Sequence, residues 1–392
     1  MAPWPLLIPA GRGTAAVAIG LLSAIAIAAF MYRNLSARRR RLVGYVSHLF
    51  VYPLKSGRRL ELYEARCLPT GMEFQQLKDR HWLITTEDGA VLTARKEPRL
   101  VLVSCSNPSN GFISLSAPGM ADLKVPIQLP NKCSTRHFRL FEMDMEGKDC
   151  GEETSVWFTS FLQSTIPYRL LQYDENLATR PVHKMKFHGI SHVPCTKADK
   201  VEFSDLGPYM LMTEASLEDL NSRLQKQVSI HNFRPNILVR GCTQTPYAED
   251  SWKSLEIGNV KFRFLTQCTR CIFTTIDAET GVKDGHEPLD TLRSYRQYKP
   301  SLRKVFGSSP CLGTYLAIDN TGNIQHYSQL CQFETIPTRA VLLQTWTTPH
   351  TTSIVHWDHT LYRALVLPKQ SPWLLGTILD RGGGGGGGGG GG

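Results

Sequence analysis

The chain of 392 residues is long enough for one large domain or two domains with separate cores. Its composition, 42% hydrophobic and 20% charged, is typical of a globular protein and excludes a largely disordered chain. The net charge of +10 is concentrated at the N-terminus, because residues 1–44 contain six arginines and no acid, which leaves +4 for the rest. A body this mildly basic does not favour nucleic-acid binding.

After an N-terminal segment of residues 1–13, residues 14–31 form an apolar stretch without a charge. As a helix at about 1.5 Å per residue it reaches roughly 27 Å, enough to cross a hydrocarbon core. Five arginines follow it and one precedes it, so the positive-inside rule places the C-terminal body in the cytosol. This alanine-rich segment with a basic C-terminal flank predicts a transmembrane signal anchor of the mitochondrial outer membrane. A cleaved matrix presequence is the alternative.

Short strand patterns with frequent turn residues fill the chain from Val43 to about Asn131. Clear examples are residues 46–52, 82–85 and 100–104. No long amphipathic helix pattern interrupts them. Closely spaced strands of this kind favour a β-barrel or a β-sandwich.

The second half combines strands with a few helices. Residues 153–162 and 216–227 carry apolar side chains at helical spacing, and Ser216 with Asp219 resembles a capping box. Residues 236–240, 260–265 and 271–276 have strand patterns. The sequence therefore predicts a β-rich α+β protein. Beyond about Gln325 the periodicity fades and residues 382–392 are all glycine, so residues 325–392 are predicted to be a disordered tail.

The ten cysteines are widely spaced, except for Cys268 and Cys271. A disulfide scaffold would be denser, so most cysteines are expected to be reduced core residues. The close pair allows three functional interpretations. It could bind zinc, but a second ligand pair is missing, since His188 and His192 lie in a Gly- and Pro-containing loop. It could be a redox pair, although residues 271–276 predict a strand where such a pair precedes a helix. It could supply one thiolate ligand, which the charge of Arg270 would favour. Ordinary cysteines remain the fourth interpretation.

Several cationic residues at predicted strand ends could bind an anion. Lys55-Ser56-Gly57 offers a cation, a hydroxyl and a flexible backbone, Arg80 precedes a strand, and Arg234 lies between asparagines. Each of these is also compatible with an ordinary solvated surface cation.

Together these blocks resemble the MOSC family, and within it the molybdenum-dependent amidoxime reductases. The resemblance extends in order over residues 43–324. The blocks that carry it are Tyr52-Pro-Leu-Lys-Ser56, Asp79-Arg80, Thr93-Ala-Arg-Lys-Glu-Pro-Arg99, Gly147-Lys-Asp-Cys-Gly151, Glu214-Ala-Ser-Leu217, Asn232-Phe-Arg-Pro-Asn-Ile237, Cys268-Thr-Arg-Cys271, Thr274-Thr-Ile-Asp277 and Pro288-Leu-Asp-Thr-Leu-Arg-Ser-Tyr-Arg296.

The resemblance implies an N-terminal β-barrel domain over residues 43–165, joined to a barrel-like MOSC domain over residues 175–324. A molybdopterin cofactor (Mo-molybdopterin) would lie between the two. Cys271 matches the catalytic cysteine that ligates the metal. The positions that match residues holding the pterin and its phosphate are Lys55, Ser56, Arg80, Arg234, Thr269, Arg270 and Tyr315.

The chain departs from the family pattern in two places. Leu206 and Gly207 stand where relatives have small hydroxyl residues, so side-chain bonds to a cofactor are not expected there. The closing strand that follows Gly322-Asn-Ile324 in relatives is replaced by residues 325–330 and an unrelated tail. Losing that strand is expected to expose a sheet edge and to cost several kcal/mol of stability.

The activity implied is reduction of N-hydroxylated compounds such as amidoximes, hydroxylamines and N-oxides, and also of nitrite or nitrate. The sequence contains no CxxCH haem motif, no iron–sulfur spacing and no dinucleotide fingerprint. Electrons must therefore come from another protein, and the resemblance implies cytochrome b5 with NADH-cytochrome b5 reductase. The alternatives are a protein that handles the cofactor or carries its sulfur, and an inactive product of the altered C-terminus.

Overall fold

Strands dominate the computed structural model, which describes residues 39–177, 180–185 and 193–334. The strands are β1 Arg39–Val51, β2 Leu60–Leu62, β3 Glu64–Leu68, β4 Gly71–Phe74, β5 Leu77–Lys78, β6 Trp82–Thr86, β7 Val91–Leu92, β8 Ser104–Cys105, β9 Phe112–Ser116, β10 Leu123–Pro126, β11 Thr135–Leu140, β12 Met143–Asp149, β13 Tyr168–Gln172, β14 Arg180–Pro181, β15 Lys200–Val201, β16 Tyr209–Thr213, β17 Ile237–Gly241, β18 Ser254–Ile257, β19 Val260–Thr269, β20 Cys311–Ile318, β21 Gly322–Gln325 and β22 Gln329–Glu334. The α-helices of the described residues are α1 Glu152–Phe161, α2 Glu214–Asn221, α3 Leu289–Tyr295 and α4 Pro300–Phe306.

The largest sheet closes into a seven-stranded barrel in the order β17-β16-β20-β19-β18-β22-β1, with β1 pairing back to β17 and β2 added beside β1. Closure brings Gly44 of β1 opposite Gly241 of β17. A Cβ atom on Gly44 would lie 2.7 Å from the Arg240 carbonyl oxygen, so this close approach requires glycine. A closed barrel has no exposed sheet edge.

The first half of the chain adds a five-stranded sheet, β11-β12-β13-β6-β7, and a three-stranded sheet, β10-β9-β8. The two halves share sheets: β1 is a strand of the barrel, and β21 from the second half pairs with β3 in the sheet β21-β3-β4-β5. A bridge between Leu54 and Trp82 joins the end of β1 to β6. The described residues therefore form one compact unit in which the strands of the two predicted domains are interleaved.

The prediction of a β-rich fold with a few helices is confirmed, whereas two predicted strands are wrong. Residues 100–104 fall mostly in a 3-10 helix, Pro98–Leu102, which begins with a proline and is capped by the Glu97 side chain. Residues 271–276 fall mostly in another 3-10 helix, Ile272–Thr275. There the hydroxyl groups of Thr274 and Thr275 donate to carbonyls three residues earlier, which draws the backbone into turns instead of a ladder.

The first predicted helix corresponds to α1, but α2 is displaced towards the N-terminus and shorter than predicted. Its N-cap is Thr213, whose side chain accepts a hydrogen bond from the Ser216 backbone N–H, so the predicted cap at Ser216 is wrong. The helix ends at Asn221, and the Asn221 side chain bonds both backbone groups of Val228, which closes the following turn. That bond prevents the predicted extension to residue 227.

The predicted disorder from residue 325 is wrong for residues 325–334. β22 pairs with β1 on one side and with β18 on the other. Leu330 is fully buried and Cys331 nearly so. The divergent sequence therefore supplies the closing strand whose absence was expected to leave an open edge.

Some predicted features lie outside the described residues: the membrane span at residues 14–31, the histidines at 188 and 192, and the tail after residue 334. Among the described helices, none combines the length and the apolar character needed to cross a membrane.

Candidate cofactor-binding site

All eight predicted site residues line one pocket, although they come from five separate parts of the chain. Lys55 and Ser56 follow β1, Arg80 precedes β6, Arg234 precedes β17, and Tyr315 lies on β20. Thr269 ends β19 and is followed directly by Arg270 and Cys271. The pocket is open to solvent, and the empty space inside it and at its mouth together comes to about 860 Å³.

The two close cysteines have different environments. Both line the pocket, but Cys271 is exposed and stands at the N-cap position of the 3-10 helix that follows it, whereas Cys268 is 3% exposed and packs against the core. Burial raises the pKa of the Cys268 thiol, although Arg270 and Tyr315 act in the opposite direction. A protonated, buried thiol is poorly suited to disulfide exchange. The pair therefore offers one accessible sulfur, that of Cys271.

A zinc site is not supported. No group of three or more His, Cys, Asp or Glu side chains in the described parts of the chain is arranged to hold a metal ion. Structural zinc requires four protein ligands. Within the described residues, Cys271 therefore has no companion ligands for a structural zinc ion.

Arg80 and Arg234 form the cationic part of the pocket, and both have left-handed backbone conformations, with φ of 49° and 57°. Ser56, at 69°, shares this conformation. Such values are uncommon for residues other than glycine and cluster at functional sites. The Arg80 guanidinium donates to Asp79 and, at 3.2 Å, to the carbonyl oxygen of Arg234. The two arginines are thus held next to each other.

The Arg234 side chain is only partly satisfied. Its Nη1 atom donates to the carbonyl of Gly57 at 2.5 Å, while its Nη2 atom is buried and has no hydrogen-bond partner within the described part of the chain. Burial and the neighbouring charge of Arg80 lower the pKa of Arg234 to about 10, so the group is still charged at neutral pH. A partly buried cation with an unused donor next to a second cation is a suitable partner for an anion such as phosphate.

Lys55 pairs with Asp205 on another side of the pocket. The buried ammonium donates to the Asp205 carboxylate at 2.5 Å and to the Phe203 carbonyl at 3.0 Å. Burial lowers the pKa of Lys55, against the effect of Asp205. Burial also disfavours the charged form of Asp205, but Lys55, Arg95 and Arg80 together lower its pKa to about 2. At neutral pH the Asp205 carboxylate is therefore ionised, and it accepts the Lys55 hydrogen bond at the pocket surface.

Arg180 stabilises the segment that carries Asp205. This arginine is fully buried and donates to the carbonyls of Glu202 and Ser204, the latter at 2.6 Å. The Glu202 carboxylate is in turn paired with His81, and both residues are buried. These contacts fix the backbone next to Lys55 without occupying the pocket.

Arg270 lies in the pocket wall, but its guanidinium is directed at the protein. It donates to the carbonyl of Leu312 from Nε and Nη2, and to the carbonyl of Phe233 from Nη1. Its backbone N–H donates to Pro310. A direct bond from Arg270 to a cofactor stays a prediction, and its evident contribution is to tie the segment before Cys271 to the start of β20.

Leu206 and Gly207 differ in their placement. Leu206 is buried in a small apolar cluster with Val182 and Val201 and does not line the pocket. Gly207 does line it, and a Cβ atom there would lie 2.9 Å from the Cβ atom of Tyr315. A larger residue at 207 would therefore displace Tyr315.

Sequence reasoning missed several lining residues. The additional polar ones are Thr93, Arg95, Ser204, Asp205, Asn232, Asn236 and Thr274. Arg95 belongs to a block that carried the resemblance and could have been found in this way. For Asp205 no local signal exists, since only the fold brings it to Lys55.

The pocket fits the cofactor that the resemblance implied. Its donor set is cationic and includes an unpartnered guanidinium nitrogen, as a phosphate requires, and one accessible thiol lies in the same pocket. Two features together define a MOSC-domain protein. One is the closed barrel with an interleaved first half, and the other is the anion pocket with one accessible sulfur. The "MOSC N-terminal beta barrel domain" matches residues 43–165 and the "MOSC domain" matches residues 198–328.

Curated relatives narrow the classification. The chain is 42% identical to "Mitochondrial amidoxime-reducing component 1" of Homo sapiens, over 83% of this chain and 95% of the relative. It is 40% identical to "Mitochondrial amidoxime reducing component 2" of Rattus norvegicus, over 78% and 88% of the two chains. The component 2 protein of Homo sapiens is also 40% identical, over 82% and 92%. The chain belongs to the family of the mitochondrial amidoxime-reducing components.

Proposed function

We propose that this chain is a molybdenum-cofactor-dependent reductase of N-hydroxylated compounds: amidoximes, hydroxylamines and N-oxides, with nitrite or nitrate as further substrates. One observation carries the proposal: the accessible sulfur of Cys271 and the unpartnered guanidinium nitrogen of Arg234 line the same pocket. The names of the relatives support the same reaction.

Each side chain has a defined task in this proposal. Cys271 supplies a protein thiolate to molybdenum, while Arg80 and Arg234 bind the phosphate of the pterin. The remaining contacts to the cofactor come from Lys55, Ser56, Thr269, Arg270 and Tyr315. When bound, the cofactor supplies two-electron removal of oxygen from the N–O bond. In the overall reaction a hydroxylamine, two electrons and two protons give an amine and water.

The electrons must come from a partner, because the sequence has no haem, iron–sulfur or dinucleotide motif of its own. We propose cytochrome b5, reduced by NADH-cytochrome b5 reductase, as the donor chain. We also propose that residues 14–31 anchor the protein in the mitochondrial outer membrane with its body in the cytosol. A shared membrane surface would raise the effective concentration of the partners.

The test is metal analysis of the purified full chain together with reduction of benzamidoxime by NADH, cytochrome b5 reductase and cytochrome b5. We expect bound molybdenum and turnover, and we expect Cys271→Ala to abolish turnover. Cys242→Ala is the matched control, since Cys242 is exposed but lies outside the pocket. Molybdenum without turnover would instead support a cofactor-handling protein. A wild-type chain without molybdenum, or a Cys271→Ala variant with full turnover, contradicts the proposal.

A further inference from the structure

Tyr52 lies behind the pocket and contacts both of its arginines. The centre of its ring is 4.4 Å from the guanidinium carbon of Arg80 and 4.1 Å from that of Arg234. These distances are within the range of a favourable cation–π contact, which is strongest where water is excluded. Tyr52 is 1% exposed, so both contacts are largely desolvated on the side of the ring.

The backbone fixes the ring in this position. The Tyr52 N–H donates to Asp79 at 2.9 Å, and the Tyr52 carbonyl accepts from the Arg80 N–H at 2.7 Å. The other Asp79 oxygen accepts from the Arg80 guanidinium. Tyr52, Asp79 and Arg80 thus form one hydrogen-bonded unit, and the ring extends from this unit to Arg234.

The two guanidinium groups need such a support before an anion binds. They carry like charges, they are close enough for Arg80 to bond the Arg234 carbonyl, and both backbones have positive φ. Asp79 can neutralise only one of the charges. Among the described residues the Arg234 Nη2 atom has no hydrogen-bond partner, so the contacts of the guanidinium are the bond to the Gly57 carbonyl and the rings of Tyr52 and, at 5.2 Å, Phe273.

The hydroxyl group of Tyr52 gives no reason for a tyrosine at this position. It is buried and has no hydrogen-bond partner among the described residues, and Tyr52 is not part of the pocket lining. A buried hydroxyl without a partner destabilises a protein. The ring is therefore the part of the side chain with an identifiable role.

We propose that Tyr52 is a positioning residue whose ring stacks on Arg80 and Arg234 and holds both guanidinium groups ready for a phosphate-type anion. This inference rests on the proposed function in one respect only, the identification of that anion with the cofactor's phosphate. Burial raises the pKa of Tyr52 to about 12, so the residue stays neutral and adds no charge to the site. Groups that are held in their bound positions lose less entropy on binding.

The experiment uses the full chain, produced in a host that lacks the molybdenum cofactor, and inorganic phosphate as the probe. Three variants are compared with wild type by phosphate titration. Tyr52→Phe keeps the ring, Tyr52→Leu removes it, and Phe262→Leu is the control. Phe262 is equally buried in the barrel core but does not line the pocket. The NMR shifts of the Arg80 and Arg234 side-chain N–H protons are recorded in parallel, because a stacked ring displaces them upfield.

We expect Tyr52→Phe to bind phosphate as wild type does, with an equal or higher unfolding temperature, because an unpartnered hydroxyl is removed. We expect Tyr52→Leu to bind at least about tenfold more weakly, since one desolvated cation–π contact corresponds to about that factor. Phe262→Leu should lose stability but keep the affinity. The upfield shifts should persist in Tyr52→Phe and disappear in Tyr52→Leu.

Three results would overturn the role of Tyr52: unshifted arginine protons in wild type, a tenfold loss in Tyr52→Phe, or an unchanged affinity in Tyr52→Leu. The first and second need no leucine variant, so they remain decisive if Tyr52→Leu does not fold. The proposed function is tested separately by the molybdenum and pterin content of chain from a cofactor-producing host. Its failure would leave the phosphate titration unaffected.

Discussion

Replacing Arg234 with methionine should have opposite effects on stability and on cofactor binding. Burial and Arg80 lower the pKa of Arg234 from 12.5 to about 10, which corresponds to about 3 kcal/mol against the charged form. Methionine removes this unfavourable charge and fills a similar volume. It also loses the bond to the Gly57 carbonyl and the contact with the Tyr52 ring, together worth about 2 kcal/mol. The cofactor-free chain should therefore gain about 1 kcal/mol.

The assay has two parts. Urea unfolding of the cofactor-free full chain measures the change in the free energy of unfolding. Molybdenum and pterin analysis of the same variant from a cofactor-producing host measures binding, which should be lost, because a phosphate requires the donors of Arg234. A gain in stability with a loss of binding is the expected behaviour of a functional residue under strain.

Arg240→Met is the matched control. The Arg240 side chain is 70% exposed and pairs with Glu214 at the surface. Its substitution should change stability by less than about 0.5 kcal/mol and leave the cofactor bound. The reasoning is refuted if Arg234→Met destabilises the cofactor-free chain by more than about 1 kcal/mol, or if it retains wild-type amounts of molybdenum and pterin.

Three further predictions follow from single side chains. Cys268→Ala should keep the metal and turnover, because this thiol is buried and protonated; equal losses in Cys268→Ala and Cys271→Ala would point to a redox pair instead. Leu330→Ala should lower the free energy of unfolding by about 2–4 kcal/mol in urea titrations, because Leu330 is fully buried. Gln329→Ala is the control and should have little effect, because Gln329 is exposed. Equal effects of the two substitutions would mean that β22 does not close the barrel. Burial and Arg59 lower the pKa of His231 from 6.5 to about 4, so between these pH values the unfolded chain binds a proton that the folded chain does not. Stability should therefore fall as the pH drops from 6.5 to 4, and His231→Gln should remove about 1–2 kcal/mol of this fall, allowing for partial exposure; parallel pH profiles of the two proteins would contradict the shift.

The sequence was informative where the local pattern and the tertiary structure agree. Residues 46–52 and 260–265 alternate or are continuously apolar, and all of them except Tyr52 lie in barrel strands, β1 and β19. The eight proposed site residues were found through their motifs, and the fold brings all of them into one pocket. No periodicity predicts that these residues meet, since Lys55 and Arg234 lie far apart in sequence, with most strands of the first half between them.

The failures have local physical causes. Residues 271–276 are rich in β-branched side chains, but Thr274 and Thr275 bond to backbone carbonyls and bend the chain. The expected effect of the Arg270 charge on Cys271 stays a prediction, but no sequence pattern indicated that the Arg270 guanidinium would donate to the carbonyls of Leu312 and Phe233. The β22 sequence has weak strand character, and it becomes a strand because β1 and β18 offer unpaired backbone groups on both sides.

The most direct test of the account is X-ray absorption at the molybdenum edge of the purified full chain, compared between wild type and Cys271→Ser, with Cys242→Ser as control. The account predicts that Cys271→Ser lowers the number of sulfur ligands at molybdenum by one, while the control spectrum matches wild type. An unchanged sulfur shell in Cys271→Ser, with molybdenum still bound, would show that this cysteine is not a ligand of the metal.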